Sequence, residues 1–94
     1  MIKSFKDKET SNIFDGLNSK KYKSIQKVVK RKLDMIHFAF KEQDLLVPPA
    51  NHFEYLKGDL KGYCSIRIND QYRIVFKCEN GNAYAVCITD YHKG

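Results

Sequence analysis

The sequence predicts an α+β domain, in which two helices from the N-terminal half pack on one face of a small, twisted, mainly antiparallel β-sheet. Two observations lead to this prediction. Apolar residues recur with helical spacing before the Pro48-Pro49 pair, and they alternate with polar residues after it. The 94 residues form a single domain, residues 1–94, because a chain of this length has no room for a second core.

The first twenty residues predict a short strand followed by a helix. Ile2–Phe5 alternates in part, which favours an opening β-strand. Asp7 can accept a hydrogen bond from a free amide of the first helical turn, so we expect it to cap the helix. The helix should end near Asn18-Ser19, where polar residues favour a turn. Its apolar stripe consists of Ile13, Phe14 and Leu17.

A second, longer helix is the clearest element of the sequence. Its buried face has helical spacing and consists of Ile25, Val28, Val29, Leu33, Ile36 and Phe40. Another face carries a basic stripe, which consists of Lys23, Lys27, Lys30 and Arg31. The basic stripe is either a solvated helix surface or a face that binds RNA or a protein partner. Pro48-Pro49 should end helical structure, because the second proline holds the first one extended.

The pattern beyond the prolines predicts strands. Phe53–Lys57 is short and could pair at the edge or in the centre of a sheet. Tyr63–Asn69 and Tyr72–Cys78 alternate between apolar and polar side chains. We therefore expect Arg67 and Arg73 on the sheet face that the helices do not cover.

Turn residues separate the last three predicted strands. Asn69-Asp70-Gln71 is a plausible tight hairpin, and Asn80-Gly81 is a stronger one because both residues tolerate positive φ. Ala83–Thr89 follows as the last strand. It is apolar on both sides, which predicts a central position in the sheet.

Composition limits the classes of function. A hydrophobic fraction of 43% is ordinary for a globular domain and argues against disorder. No apolar run approaches the ~18 residues of a membrane span. The first residues also lack the apolar core of a secretory signal, so we expect a cytoplasmic protein. The net charge of +6 favours contact with nucleic acid, an acidic protein or an anionic membrane surface.

The cysteines and histidines do not form a metal-binding motif. The three cysteines, Cys64, Cys78 and Cys87, fall in separate segments without a Cys-x-x-Cys pair. We expect them to be buried thiols that behave as small apolar residues. The three histidines are far apart in the sequence, so a zinc site is not expected.

Several short blocks in a fixed order resemble one known family. They are Ile2-Lys3-Ser4-Phe5, Leu56-Lys57-Gly58-Asp59, Gly62-Tyr63, Ser65-Ile66-Arg67-Ile68-Asn69, Tyr72-Arg73-Ile74 and Asp90-Tyr91-His92. Over nearly its whole length the chain is similar to the HigB toxins of type II toxin–antitoxin systems, within the RelE/ParE superfamily. The resemblance implies a RelE-like fold and a metal-independent endoribonuclease, without a cofactor, that cuts messenger RNA in the ribosomal A site during translation. It also implies a HigA-like helix-turn-helix antitoxin as partner.

The resemblance implies the site residues as well. The residues that act together in RNA cleavage by relatives map onto Lys57, Arg73, Asp90, Tyr91 and His92. Some members have histidine where this chain has Glu54, and other relatives have glutamate there. Glu54 is therefore a further candidate, as a general base. His52 should share the strand face of Glu54 if this segment is extended.

Metal-free RNA cleavage uses the 2′-hydroxyl of the substrate as the nucleophile. The site must remove the 2′ proton, stabilise negative charge on the phosphorane and protonate the departing 5′ oxygen. Arg73 suits the second task because its guanidinium binds two phosphate oxygens, and Lys57 can add charge. His92 carries the side chain best suited to proton transfer near neutral pH. Asp90 could orient an imidazole, accept a proton or merely end the strand, and Tyr91 could stack on a base or position the phosphate.

RNA contact is expected from a wider set of basic residues. They are Arg67, Lys61, Lys23, Lys27, Lys30 and Arg31. Two other functions remain open, because a fold alone does not determine function. One is a ParE-like inhibitor of DNA gyrase, which would need no acid–base cluster. The other is a non-catalytic RNA- or ribosome-binding domain, which the basic stripe suits equally well.

Overall fold

The computed structural model describes residues 1–91. Two helices, α1 (Lys8–Phe14) and α2 (Gln26–Phe38), precede four strands, β1 (Glu54–Tyr55), β2 (Tyr63–Arg67), β3 (Tyr72–Glu79) and β4 (Asn82–Asp90). Short 3-10 turns occupy Glu42–Leu46, Pro49–Asn51 and Gly58–Leu60. The strands form one antiparallel sheet in the order β1-β2-β3-β4, and the helices pack on one face of it, which confirms the predicted fold class. Within residues 1–91, neither helix is long and apolar enough to cross a membrane.

The N-terminal segment has less regular structure than the sequence predicts. Residues 2–5 form two isolated parallel bridges to β4 and are not a regular strand. Asp7 caps α1 as expected, because its carboxylate accepts a hydrogen bond of 2.7 Å from the Thr10 amide. The helix ends at Phe14, so Leu17 lies beyond it and is 57% exposed. The assignment of Leu17 to the buried stripe was wrong.

Of the predicted face, helix α2 buries Val29, Leu33 and Ile36. Val28 is only half-buried, and Ile25 lies just before the helix and packs partly against the core. The helix ends at Phe38, and the next residue, Ala39, is extended. Helical spacing therefore no longer applies to Phe40, which is 88% exposed, and its assignment to the buried face was wrong. The proline pair lies well beyond the end of α2. Pro49 begins a 3-10 turn, a position that tolerates its missing N–H.

The two hairpins are those predicted from the turn residues. The Asn69 side-chain oxygen accepts hydrogen bonds from the amides of Gln71 at 2.9 Å and Tyr72 at 2.8 Å, which closes the β2–β3 turn. Asn80 and Gly81 have φ values of 51° and 78°, which suit the β3–β4 turn. Strand β4 is the last of the four strands, yet residues 2–5 line its outer edge, so that it is flanked on both sides.

The core lies between the helices and the sheet. Its fully buried side chains include Val29 and Leu33 of α2 and Ile66, Ile74 and Phe76 of β2 and β3. Successive side chains of a strand project from opposite faces. The odd-numbered residues of β2 and β3 therefore project from the face that the helices leave open, as predicted for the arginines.

The expectation of three free thiols was wrong for two of the cysteines. Cys64 and Cys78 form a disulfide between β2 and β3, with their Cα atoms 6.5 Å apart. Both project from the core side of neighbouring strands, a relation that follows from the strand register and not from their spacing in the sequence. Cys87 is a buried free cysteine of β4.

One lysine of α2 is buried. Lys32 is 6% exposed, and its ammonium group donates a hydrogen bond to Asn51 Oδ1. Asn51 Nδ2 in turn donates to the Leu45 carbonyl at 3.2 Å. Burial lowers the pKa of Lys32 below its usual value, and the neighbouring Arg31 charge acts in the same direction. This network ties α2 to the two 3-10 turns that follow it.

Candidate active site

The open face of the sheet carries the main cation of the predicted site. Arg73 of β3 lies there, directly opposite Thr89 of β4 and diagonally from Ser65 of β2. Although no helix covers this face, Arg73 is only 8% exposed and Ser65 is fully buried. The Arg73 side chain therefore lies along the sheet and does not extend into water.

Hydrogen bonds fix the orientation of the Arg73 guanidinium. Nε donates to Ser65 Oγ at 2.9 Å, and Nη2 donates to the His52 carbonyl and, at 3.5 Å, to the Ser65 carbonyl. Nη2 also lies 3.2 Å from Glu54 Oε1 in an ion pair. Within residues 1–91 these contacts involve Nε and Nη2, so the Nη1 donors are available to a ligand.

Glu54 and Tyr91 approach the guanidinium from opposite edges of the sheet. Glu54 belongs to the edge strand β1 and pairs with Ser65, which places its carboxylate on the open face. Tyr91 follows β4, where its amide donates a hydrogen bond of 2.6 Å to the Gln71 carbonyl. The Arg73 guanidinium carbon is 5.6 Å from the centroid of the Tyr91 ring, a cation–π contact. We call Glu54, Arg73 and Tyr91 the Arg73 cluster.

The other predicted catalytic residues are placed differently. Asp90 projects from the sheet face opposite to that of Tyr91, and its carboxylate accepts a hydrogen bond of 3.2 Å from Gln71 Nε2. Lys57 is exposed in the loop after β1, and within residues 1–91 its side chain makes no hydrogen bond or ion pair with the Arg73 cluster. His92 lies outside the described residues.

Two contributors to the site are not evident from the sequence. His52 has φ 45° and ψ 51°, so it is not extended and does not share a strand face with Glu54. Its carbonyl accepts a hydrogen bond from Arg73 instead, and no sequence signal marks a backbone carbonyl for that role. Ser65 could have been found from the β2–β3 register, which the Asn69 turn determines.

The basic residues expected to bind RNA lie on two different surfaces. Arg67 is at the end of β2 on the open face, where it pairs with Asp70, and Lys61 is exposed in the loop before β2. Of the basic stripe, Lys27, Lys30 and Arg31 lie on α2, on the other side of the sheet, whereas Lys23 lies in the turn before this helix. Lys30 of this stripe pairs with Asp34 at 2.8 Å and lies 4.8 Å from the centroid of the Phe14 ring. The stripe and the Arg73 cluster therefore cannot contact the same short piece of RNA.

The Arg73 cluster is suited to binding a phosphate next to a base. A guanidinium remains charged and can bind two oxygens of a phosphate. The neighbouring Glu54 carboxylate can accept a proton, and the Tyr91 ring, 39% exposed, offers an aromatic face. Within residues 1–91, no group of three or more His, Cys, Asp or Glu side chains is placed to hold a metal ion.

The chain is similar to known toxins. The family model for the RelE-like toxin of type II toxin-antitoxin system HigB matches residues 3–92. Toxin HigB-1 of Vibrio cholerae is 40% identical over 97 residues, which cover 99% of each chain. Endoribonuclease HigB of Proteus vulgaris is 49% identical over 37 residues, 39% of this chain and 40% of its own. The solved YoeB-YefM complex from Staphylococcus aureus shares the fold, with a TM-score of 0.62 and 24% identity over 99% of this chain and 97% of that chain.

Proposed function

This chain belongs to the HigB-like family of RelE-like toxins from type II toxin–antitoxin systems, and on that basis we propose that it is a metal-independent endoribonuclease. Its proposed substrate is messenger RNA in the ribosomal A site during translation, and cleavage there inhibits growth. The Proteus vulgaris relative is named an endoribonuclease. The observation that carries the proposal is the Arg73 cluster, in which a buried guanidinium lies 3.2 Å from a carboxylate and 5.6 Å from the centre of an aromatic ring.

The proposed reaction is a phosphoryl transfer within the RNA chain. A base removes the 2′-hydroxyl proton, the 2′ oxygen attacks the adjacent phosphorus, and the bond from phosphorus to the 5′ oxygen breaks. An acid protonates the departing oxygen, which leaves a 2′,3′-cyclic phosphate and a 5′-hydroxyl end. Arg73 stabilises the negative charge on the phosphorane through its Nη1 donors. Its other donors are already engaged, so its position changes little during the reaction.

The two proton transfers are assigned to two different side chains. Glu54 is the proposed base, because its ion pair with Arg73 places it beside the phosphate that Arg73 binds. His92 is the proposed acid. Asp90 lies on the other face of the sheet, bonded to Gln71, and is given no direct part in proton transfer. Tyr91 stacks on a base of the substrate, and Lys57 adds positive charge near the phosphate.

The exposure of the site is consistent with a need for the ribosome. The Glu54 side chain is 58% exposed, so the protein alone does little to orient a flexible RNA for in-line attack. We propose that the ribosome supplies this orientation, which places the reaction in the cytoplasm. Lys61 and Arg67 would contact the messenger, and the basic stripe (Lys23, Lys27, Lys30 and Arg31) would contact ribosomal RNA.

A cognate HigA-like helix-turn-helix protein is proposed as the antitoxin. Membership of a type II toxin family supports an antitoxin partner. YoeB of Staphylococcus aureus, which has the same fold, was solved in complex with YefM. Coexpression with the protein encoded by the neighbouring gene, followed by copurification, tests this pairing.

The test of the enzymatic proposal is a translation reaction with purified ribosomes and a defined messenger. New 5′ ends are mapped by primer extension with no protein, wild-type protein or Arg73→Ala. Lys77→Ala is the matched control, because Lys77 is an exposed cation on the same face of β3. We expect cuts within codons with the wild-type protein and Lys77→Ala, and none with Arg73→Ala. The cuts should require active translation.

Two results would contradict the proposal. If folded, growth-inhibiting protein leaves the messenger intact, the enzyme assignment is wrong, and DNA gyrase becomes the next target to assay. If free RNA is cut as fast as RNA on the ribosome, the endoribonuclease stands but its dependence on the ribosome does not.

A further inference from the structure

A cavity opens on the free sheet face beside the Arg73 cluster. Its volume is ≈ 330 Å³. The walls are largely apolar and come from the sheet, the loop before β2 and the segment before α1. They include Tyr63, Leu60, Val75, Cys87, Thr89 and Tyr91. An apolar cavity on the uncovered face of a sheet contributes nothing to the core, which lies on the other side.

Two residues join this cavity to the Arg73 cluster. The ring of Tyr91 contacts the guanidinium and also forms part of the cavity wall. Thr89, another wall residue, lies directly opposite Arg73 in the β3–β4 register. A phosphate bound to Arg73 would therefore have its own nucleotide within reach of the cavity.

An irregularity in β4 shapes the cavity. The register of β3 and β4 shifts between Val75 and Lys77, and Ala85, which belongs to the wall, has φ 52°. Such a bulge bends a strand and redirects its side chains, and bulges are frequent beside active sites. Because the Ala85 side chain is only a methyl group, it leaves the space beside the bent strand unfilled, and this space is part of the cavity.

We propose that this cavity holds one unpaired nucleobase of the RNA, next to the phosphate bound by Arg73, and that it determines which base can occupy that position. The inference rests on the proposed endoribonuclease function and adds a specificity site to it. The cavity is near the lower end of the ~300–1,000 Å³ typical of small-ligand pockets, which suits a single planar heterocycle. The Tyr63 and Tyr91 rings supply the aromatic surface on which unpaired bases stack.

Polar groups in the wall can read the edge of the base. The Thr89 hydroxyl can donate or accept a hydrogen bond, and its described partner is the Cys87 thiol at 3.5 Å, which is a weak one. The ammonium of Lys6, another wall residue, can only donate. Hydrogen-bond donors at the rim favour a base that presents acceptor atoms, as the N7 edge of a purine does.

Direct binding is measured first, because it does not depend on cleavage. Backbone amide resonances of the labelled protein are followed by NMR while adenosine or guanosine 5′-monophosphate is added. Ribose 5-phosphate is the matched control, since it has the sugar and phosphate without the base. We expect the nucleotides to shift the amides of Tyr63, Ala85 and Cys87, which lie away from Arg73, and ribose 5-phosphate to leave them in place. Equal shifts with all three compounds, or none, would overturn the proposal.

Base preference is then measured with messengers that differ only at the base beside the cleaved phosphate. We expect the wild-type protein to discriminate between bases by about tenfold, the size that a shaped pocket provides. Cys87→Phe, which fills the cavity, should reduce that discrimination to about twofold while cleavage persists. Lys77→Ala is the control, because Lys77 is exposed on the same sheet face but does not line the cavity, and it should discriminate as the wild type does. Tyr63→Leu, which removes one wall ring, replaces Cys87→Phe if that variant does not fold.

The outcomes separate this inference from the proposed function. Unchanged base preference in folded, active Cys87→Phe or Tyr63→Leu means that the cavity does not read a base. Cleavage by no form of the protein overturns the endoribonuclease proposal, and the NMR titration then decides whether the cavity binds bases at all. If a purified antitoxin shifts the cavity amides and nucleotides do not, the cavity is a protein-docking site and the inference is wrong.

Discussion

Two buried cations, Arg73 in the sheet and Lys32 in the helical layer, have similar exposure and opposite surroundings. Arg73 is 8% exposed and Lys32 is 6% exposed. Lys32 bonds to Asn51, a neutral residue that is itself fully buried, and burial lowers its pKa. Arg73 pairs instead with a carboxylate that is mostly exposed and contacts an exposed ring.

The difference shows that burial of a charge does not by itself mark a functional site. The Lys32 network stays within the protein, because Asn51 accepts from Lys32 through Oδ1 and donates through Nδ2 to the backbone carbonyl of Leu45. The Arg73 cluster is open, because Glu54 and Tyr91 reach solvent and the Nη1 donors of Arg73 remain available. We therefore expect changes near Lys32 to affect stability, and changes near Arg73 to affect activity.

The largest effect is expected for Arg73→Lys, which retains the charge and removes the planar fork. Cleavage should fall by about 10²–10³-fold, the usual result of losing an oriented donor at a developing negative charge. The rate of messenger cleavage in the translation assay measures it, and circular dichroism confirms that the variant is folded. Near wild-type cleavage by Arg73→Lys would show that only the positive charge matters.

A somewhat smaller loss is expected for Glu54→Gln, which preserves the shape of the side chain and removes its basicity. If Glu54 takes the 2′ proton, the cleavage rate should fall by about 10²-fold. The rate of messenger cleavage in the translation assay measures it. Near wild-type cleavage by Glu54→Gln would assign Glu54 to positioning Arg73.

A third effect, on stability, is expected for Asn51→Ala. The substitution leaves the Lys32 ammonium without its buried acceptor and the Leu45 carbonyl without its donor. We expect a loss of about 2–3 kcal/mol in the free energy of unfolding, as measured by urea denaturation. Cleavage per folded molecule should not change. Lost cleavage in a fully folded variant would show that the two regions are coupled.

The smallest effect is a pH dependence of stability that comes from Lys32. Because its pKa is lowered in the folded protein, the unfolded chain binds more protons between that lowered pKa and the usual 10.5. The Lys32 contribution to the unfolding free energy should therefore rise with pH across this window. Lys32→Met has no such group, so the unfolding free energy of the wild type minus that of the variant should increase as the pH rises towards 10.5.

The comparison with Lys32→Met removes titrations that are common to both proteins. Burial raises the pKa of Tyr22, which makes stability fall as pH rises, the opposite sign, and does so in both proteins. A constant difference between the two proteins over this pH range would show that Lys32 is charged in the same way in the folded and unfolded states.

Local chemistry made much of the fold predictable. Asp7 at the start of α1, Asn69 in one hairpin and Asn80-Gly81 in the other each act within a few residues, and each prediction is confirmed. The wrong predictions of buried helix residues concern the positions at which the helices end. In the sequence, Phe40 continues the helical spacing of apolar residues, but α2 ends at Phe38 and Phe40 is exposed. Apolar periodicity alone does not indicate where a helix ends.

The site was less accessible to sequence reasoning because it depends on strand register. The resemblance placed Arg73 and Tyr91 in one site and added Glu54 as a candidate, but it did not give the contacts that join the three across β1, β3 and the end of β4. It grouped Asp90 with them, although strand alternation turns Asp90 to the other face of the sheet. The Cys64–Cys78 disulfide was missed for the same reason, since the pair becomes adjacent only once β2 and β3 are aligned.

The docking of residues 1–5 on β4 has a consequence for how the sheet folds. Met1 and Lys3 exchange backbone hydrogen bonds with Ala83, and Ser4 bonds to the amide of Val86. These partners are about 80 residues apart in the sequence, and contacts between such distant segments form slowly. We therefore expect the outer edge of β4 to be covered late in folding, after β4 has paired with β3 across the short Asn80-Gly81 turn.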